Sequence, residues 1–152
     1  MSNSLFQQIE MDYLQAYKAK ETVRVSVLRL IKTAVKNRLV DTKRPGGTLS
    51  DEEMLDLILK EAKQRRDSIE QFIAADRKDL ADKENAELDI IQQYLPKPLT
   101  PEELISIIDI TIAEVGATSP KDIGKVMNTI MARYRGRIDG KILSAQVKQR
   151  LQ

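Results

Sequence analysis

The chain has 152 residues, with 25 Lys and Arg, 23 Asp and Glu, no cysteine and no histidine. These absences exclude disulfides, thiol nucleophiles, zinc sites with Cys or His ligands, and Ser-His-Asp or Cys-His catalysis. No apolar run approaches the roughly 18–20 residues that cross a bilayer, and the N-terminus does not resemble a signal peptide. We therefore expect a soluble cytoplasmic protein with no membrane partner, metal or cofactor.

Apolar residues recur at steps of three and four along almost the whole chain, a periodicity that predicts an all-α fold. Tyr17 is expected on the apolar face of the first helix. Ser50 and Glu53 form a capping box that starts the third helix. Four helices are predicted in this first part, over residues 5–18, 22–40, 51–75 and 80–94. They predict an N-terminal bundle of about four helices in a domain over residues 1–96.

Two prolines in three residues, Pro96 and Pro98, mark the strongest boundary, because they stop a helix and favour an extended segment. Thr100 is then expected to cap a new helix, and Ser119 is expected to cap the next one. Three helices are predicted here, over residues 101–116, 120–134 and 141–151. We expect residues 99–152 to form a small three-helix tail domain, which is less stable because its core is small.

Positive charge is concentrated near the C-terminus. From Lys121 onward the chain has eight basic and two acidic residues, whereas residues 1–120 have seventeen basic and twenty-one acidic ones. Basic side chains beside glycine, which exposes the backbone, are suited to contacts with phosphate. The candidate RNA-binding residues are Lys121, Gly124, Lys125, Arg133, Arg135, Gly136, Arg137, Gly140 and Lys141. The alternative interpretation is a solvated basic helix end beside a turn.

Gly124 is the most informative single residue of this set. It lies inside a predicted helix, where glycine costs about 0.5–1 kcal/mol relative to alanine. Two interpretations remain open: the glycine lets a second helix pack closely, or it lets an RNA backbone approach.

Other charged regions favour structural roles. The stretch Arg24–Arg44 has seven basic residues and one acid. Such a stretch can bind nucleic acid, an acidic partner or an anionic membrane surface, but we favour packing against the acidic third helix. In that helix, pairs such as Glu61 with Arg65 predict a solvated face. Glu84 and Asp89 are placed on an exposed face, and we assign no catalytic residue and no metal ligand.

Six short segments, in this order and spacing, are shared with one known family. They cover residues 27–30, 63–69, 77–80, 87–96, 124–127 and 136–140. On these segments the chain resembles the YqeY family over essentially its whole length. The C-terminal half also resembles the tail domain of GatB, a component of the glutamine-dependent aspartyl/glutamyl-tRNA amidotransferase.

This resemblance implies a small helical domain that contacts tRNA, and it carries over to Gly124, Lys125, Gly136, Arg137 and Lys141 as contacts. It brings no catalysis, because the catalytic residues of the amidotransferase belong to parts that have no counterpart here. The predicted function is a non-catalytic accessory protein that binds tRNA or a tRNA-handling enzyme. The alternatives are a protein–protein interaction module without RNA binding and, by family label, a glutamine-dependent carbon–nitrogen ligase, which lacks the residues it would need.

Overall fold

The computed structural model describes residues 4–152, which form seven α-helices and no strand and confirm the predicted all-α fold. Residues 1–3 lie outside the described part. The start of the predicted first domain and the expected lack of a signal peptide both involve these residues. None of the helices in residues 4–152 is long and apolar enough to cross a membrane. The helices are α1 (Leu5–Lys18), α2 (Thr22–Asp41), α3 (Asp51–Ala74), α4 (Lys78–Gln92), α5 (Pro101–Val115), α6 (Ile123–Arg133) and α7 (Gly140–Arg150).

Two reciprocal capping boxes define the starts of α3 and α5. Ser50 Oγ accepts the Glu53 N–H, and the Glu53 carboxylate accepts the Ser50 N–H, both at 3.2 Å. Thr100 and Glu103 make the same pair of bonds at 3.1 Å each. Each box satisfies backbone donors that a helix start leaves free, so both predicted starts are confirmed.

The predicted cap at Ser119 is wrong. Its side chain makes no capping hydrogen bond, and Pro120–Asp122 forms a 3₁₀ turn before α6 begins at Ile123. The Asp122 carboxylate instead accepts the Thr118 N–H at 2.9 Å. Asp122, which could have capped α6, is therefore bonded to the preceding loop instead.

The N-terminal unit, which ends at Leu95, packs α1–α4 around one apolar core. Helix α1 packs against α2, and the most extensive packing in this unit is between α3 and α4. Tyr17, predicted on the apolar face of α1, is 61% exposed because the neighbouring Ala16 turns into the core in its place. The largest fully buried side chains are those of Ile9, Leu28, Ile31, Met54, Ile58 and Ile91.

Helices α3 and α4 are also joined by a partly buried ion cluster. Arg65 Nη1 lies 3.3 Å from a carboxylate oxygen of Glu84 and 3.3 Å from one of Glu87. The three side chains are 11–18% exposed. The predicted Glu61–Arg65 pair and the exposed face assigned to Glu84 are therefore wrong, since α4 folds back and supplies the partners.

The C-terminal unit, Pro96–Gln152, has a core of its own, built from α5, α6 and α7. Its first residues are fastened to the loop between α6 and α7, where the Leu99 N–H donates to the Arg137 carbonyl at 2.8 Å. Gly116 ends α5 in the left-handed conformation, at φ 69°. The fully buried side chains of this unit include Ile108, Val126, Ile130, Leu143 and Val147.

Candidate RNA-binding surface of the C-terminal unit

The first group of candidate residues lies where the 3₁₀ turn passes into α6. Lys121, Gly124 and Lys125 are all exposed. Within residues 4–152, neither lysine has an ion-pair partner. The intervening Asp122 directs its carboxylate to the Thr118 N–H. The two ammonium groups are therefore available to an external anion.

Gly124 has no packing neighbour. A Cβ built on this residue would meet no atom within 4 Å, and its backbone needs no left-handed φ. The interpretation in which Gly124 lets a second helix pack closely is therefore wrong. The approach of an external backbone remains as the hypothesis that gives this glycine a role.

The second group of candidate residues lies at the other end of α6. Arg133 follows Lys125 by eight positions, which is about 12 Å along the helix axis. Arg133 Nη1 lies 2.7 Å from a carboxylate oxygen of Glu114, and the Arg137 Nε–H donates to the Lys97 carbonyl at 2.9 Å. Both arginines thus have partners within the unit, and the predicted set is divided between two ends of one helix.

The remaining candidates form the turn between α6 and α7. Gly136 has φ 81°, so the turn itself favours glycine there. Asp139 caps α7 by accepting the Lys141 N–H at 2.7 Å, and a Cβ added at Gly140 would meet open space. Arg135 and Lys141 also have interaction partners. The glycine at position 136 and the acid at position 139 are therefore explained by the local structure of the turn.

A shallow hollow of about 460 Å³ borders Arg137. Glu102 and Glu103, in the first turn of α5, line the same hollow. Their carboxylates complement the positive end of the helix and oppose an approaching phosphate. The surroundings of the second group are therefore less favourable to an external anion than those of the start of α6.

Two basic residues of α2 pair with acids of α1. Arg24 Nη2 lies 3.7 Å from Asp12, and Lys32 Nζ lies 3.2 Å from Glu10. We expected the acidic α3 to supply these carboxylates, and for these two residues that expectation is wrong. Arg44, in the loop after α2, does pair with an acid of α3, Glu53.

Sequence reasoning missed a polar cluster within the N-terminal unit. The Tyr94 hydroxyl donates to Asp12 at 2.6 Å, and the same carboxylate faces Arg24. Burial and the neighbouring carboxylate raise the pKa of Tyr94 to about 12. The cluster fastens the segment that follows α4 to α1. Across residues 4–152 there is no group of three acidic side chains placed to hold a metal ion.

Comparison with known proteins places the chain among relatives. The family model of Yqey-like proteins matches residues 6–151. "Altered inheritance of mitochondria protein 41, mitochondrial" from Lachancea thermotolerans is 34% identical over 87 residues, which are 57% of this chain and 46% of the relative. The Candida glabrata protein is 34% identical over 94 residues, 61% of this chain and 50% of the relative. The Pyrenophora tritici-repentis protein is 27% identical over 149 residues, 97% of this chain and 81% of the relative.

These relatives are named as mitochondrial proteins, a finding that contradicts the predicted cytoplasmic location. The chain spans about half the length of the first two. The names state neither tRNA binding nor amide transfer. The family model, in contrast, covers nearly the whole chain and confirms the predicted resemblance to the YqeY family, whereas the resemblance to the amidotransferase tail domain stays a prediction. The chain belongs to the YqeY family.

Proposed function

We propose that the protein is a non-catalytic accessory factor that binds tRNA through the start of α6. The observation that carries this proposal is Gly124, an exposed helix glycine with open space above it and lysines on both sides. Glycine costs the helix stability at this position, and internal packing gains nothing from it. A bare backbone between two ammonium groups lets a phosphate come close, which gives the residue a function.

The charge around Gly124 supports this proposal. The start of a helix carries partial positive charge from its free N–H groups, and α6 has 11 residues. Asp122 makes no side-chain cap to these groups, because its carboxylate bonds to Thr118. Contacts of this kind are made to phosphates, so they position RNA and recognise its shape without reading base sequence. The choice of tRNA, or of a tRNA-handling enzyme as a second partner, comes from the resemblance to the amidotransferase tail domain.

A salt titration tests the proposal directly. With three or four phosphates contacted, log K for tRNA should fall with log salt at a slope near −3, with roughly micromolar or weaker affinity at physiological salt. Replacing Lys121 and Lys125 by Gln should flatten the slope by about two units. The matched control replaces Lys60 and Lys63, two exposed lysines of α3, by Gln. Fluorescence anisotropy of labelled tRNA with the full chain measures both. An equal loss of tRNA affinity in the two double variants would show that binding depends only on overall charge.

Gly124 offers a test that changes no charge. Gly124→Ala should raise the stability of the C-terminal unit by about 0.5–1 kcal/mol, because alanine is the better helix former. Gly124→Leu should keep that fold, since the added side chain meets open space, but should weaken tRNA binding by holding the backbone away. Thermal unfolding and the same anisotropy assay separate the two effects. Unchanged tRNA binding by Gly124→Leu would contradict the proposed contact.

A further inference from the structure

A groove between α1 and α2 has a mostly apolar surface. It has a volume of about 470 Å³, and residues Pro45 and Gly46 of the following loop form part of its wall. Phe6, Val35 and Leu39 provide apolar surface inside it. Every residue of the groove belongs to the N-terminal unit. A concave apolar surface of this size is typical of sites that bind a ligand or a peptide.

A row of cations follows one side of this groove. Arg29, Lys32 and Lys36 line it, and their spacing of three and four residues sets them on one side of α2 over about 10 Å. Lys32 Nζ lies 4.3 Å from the centre of the Tyr13 ring, and Arg29 donates to the Tyr13 hydroxyl at 3.3 Å. Tyr13 therefore holds two of the three cations in place beside the groove.

The charge of the row is only partly neutralised. Glu10 also lines the groove, and it pairs with Lys32. Lys36 is exposed and has no ion-pair partner within residues 4–152. Three cations with one carboxylate leave a positive edge along an apolar floor. The occupant that complements both properties is negatively charged and has an apolar face.

We propose that this groove binds an acidic amphipathic helix of a partner protein. The apolar face of that helix would lie on Phe6 and Val40, with its carboxylates along the row of cations. Cations spread over two turns of α2 match carboxylates that recur at helical spacing, whereas a single anionic headgroup would meet only one end of the row. The opposite charges would favour acidic helices over basic ones of equal hydrophobicity. This inference goes beyond tRNA binding and uses the other unit, so either proposal can fail alone.

Two synthetic helices test the inference with the full chain. The first is a labelled peptide of about 18 residues with leucines on one face and glutamates beside them; the second replaces every glutamate by lysine. Anisotropy should give a dissociation constant of tens of micromolar for the acidic peptide, as expected for a small interface. The lysine peptide should bind about tenfold more weakly or not at all. Equal binding of both peptides, or binding of neither, would overturn the proposal.

Variants locate the binding in the groove. Thr33 is exposed and lines it, so Thr33→Trp should fill it without unfolding the bundle and should abolish binding of the acidic peptide. Lys36→Glu should weaken that binding roughly five- to tenfold, whereas Lys63→Glu, the same charge change on α3, should not. Retained binding in Thr33→Trp would overturn the proposal. If the protein alone forms a dimer and Thr33→Trp disrupts that dimer, the proposal is also overturned, because a second copy of the chain would then occupy the groove. Dodecanoate binding that excludes the peptide would identify a lipid-like ligand instead and would equally overturn it.

Discussion

The two units both present basic side chains, but these lie in different surroundings. In the N-terminal unit Arg29 and Lys32 lie over the Tyr13 ring beside an apolar groove. In the C-terminal unit Lys121 and Lys125 flank an exposed glycine that has no neighbouring side chain. A phosphate backbone offers no apolar face to bury, whereas an amphipathic helix does. The comparison teaches that the surface beside a charge, more than the number of charges, indicates the partner.

The units also differ in how they are held together. Among residues 4–152, the N-terminal core has fourteen buried hydrophobic residues and the C-terminal core has eight, so less apolar area stabilises the second unit. The N-terminal unit adds a partly buried ion cluster between α3 and α4. The C-terminal unit adds hydrogen bonds between its first residues and the loop after α6. We therefore expect the C-terminal unit to unfold first.

The largest effect is expected from Arg65→Ala. It would leave the carboxylates of Glu84 and Glu87 partly buried without their cation. We expect the free energy of unfolding of the N-terminal unit to fall by about 3 kcal/mol. Hydrogen exchange of the full chain should show this loss in α3 and α4 and none in α5–α7. Adding Glu84→Gln and Glu87→Gln to the same variant should recover part of the stability. A change below about 0.5 kcal/mol would mean that water already screens the cluster.

A smaller effect is expected from Arg137→Gln, which removes the bond from Nε to the Lys97 carbonyl. One such bond contributes about 1 kcal/mol, and the loss should fall on the C-terminal unit. Proteinase K should cut the parent protein near Lys97 before either helical core, and it should cut this variant faster. Lys148→Gln, an exposed lysine of α7, is the control and should behave like the parent. Uniform cutting throughout the chain would contradict the division into two units.

The smallest effect is expected in the dependence of stability on pH, through Glu53. Hydrogen bonds from Arg44 and from the Ser50 N–H lower the pKa of Glu53 from 4.5 to about 2. A pKa lowered by folding stabilises the folded state above the unfolded value, and this contribution is lost as the pH falls through the folded value. Urea unfolding should therefore show the parent more stable than Glu53→Gln near neutral pH, with the difference shrinking between about pH 4.5 and pH 2. A difference independent of pH would show that the ion pair does not form in solution.

Sequence alone located the helices well where local chemistry decides their ends. The capping boxes at Ser50 and Thr100 satisfy their own backbone donors, so they act independently of the rest of the chain. The predicted cap at Ser119 was wrong because a 3₁₀ turn separates this residue from α6. Arg65 was misassigned because a local carboxylate, Glu61, was visible in the sequence, whereas its partners on α4 are 19 and 22 positions away.

The candidate site was less predictable for the same reason. The sequence identified Gly124 as unusual, but only the position of the other helices shows that nothing packs above it. Arg133 and Arg137 were grouped with the lysines by charge, whereas their bonds to Glu114 and Lys97 depend on how α5 and the loop after α6 meet. The groove of the N-terminal unit is formed by residues from two helices and a loop. No periodicity within one helix reveals it.

The bonds of Arg137 also bear on the order in which the protein is made. Its Nε–H meets the carbonyl of Lys97, 40 positions earlier in the chain. A ribosome therefore releases the Pro96–Pro98 segment well before the arginine that fastens it, whereas α1–α4 can already close around their own core. Until Arg137 emerges from the ribosome, the beginning of the second unit lacks this hydrogen bond. The folded α1–α4 bundle is then followed by a segment that has not yet packed. Assembly of this protein is thus expected to run from the N-terminus, with one arginine completing the second unit.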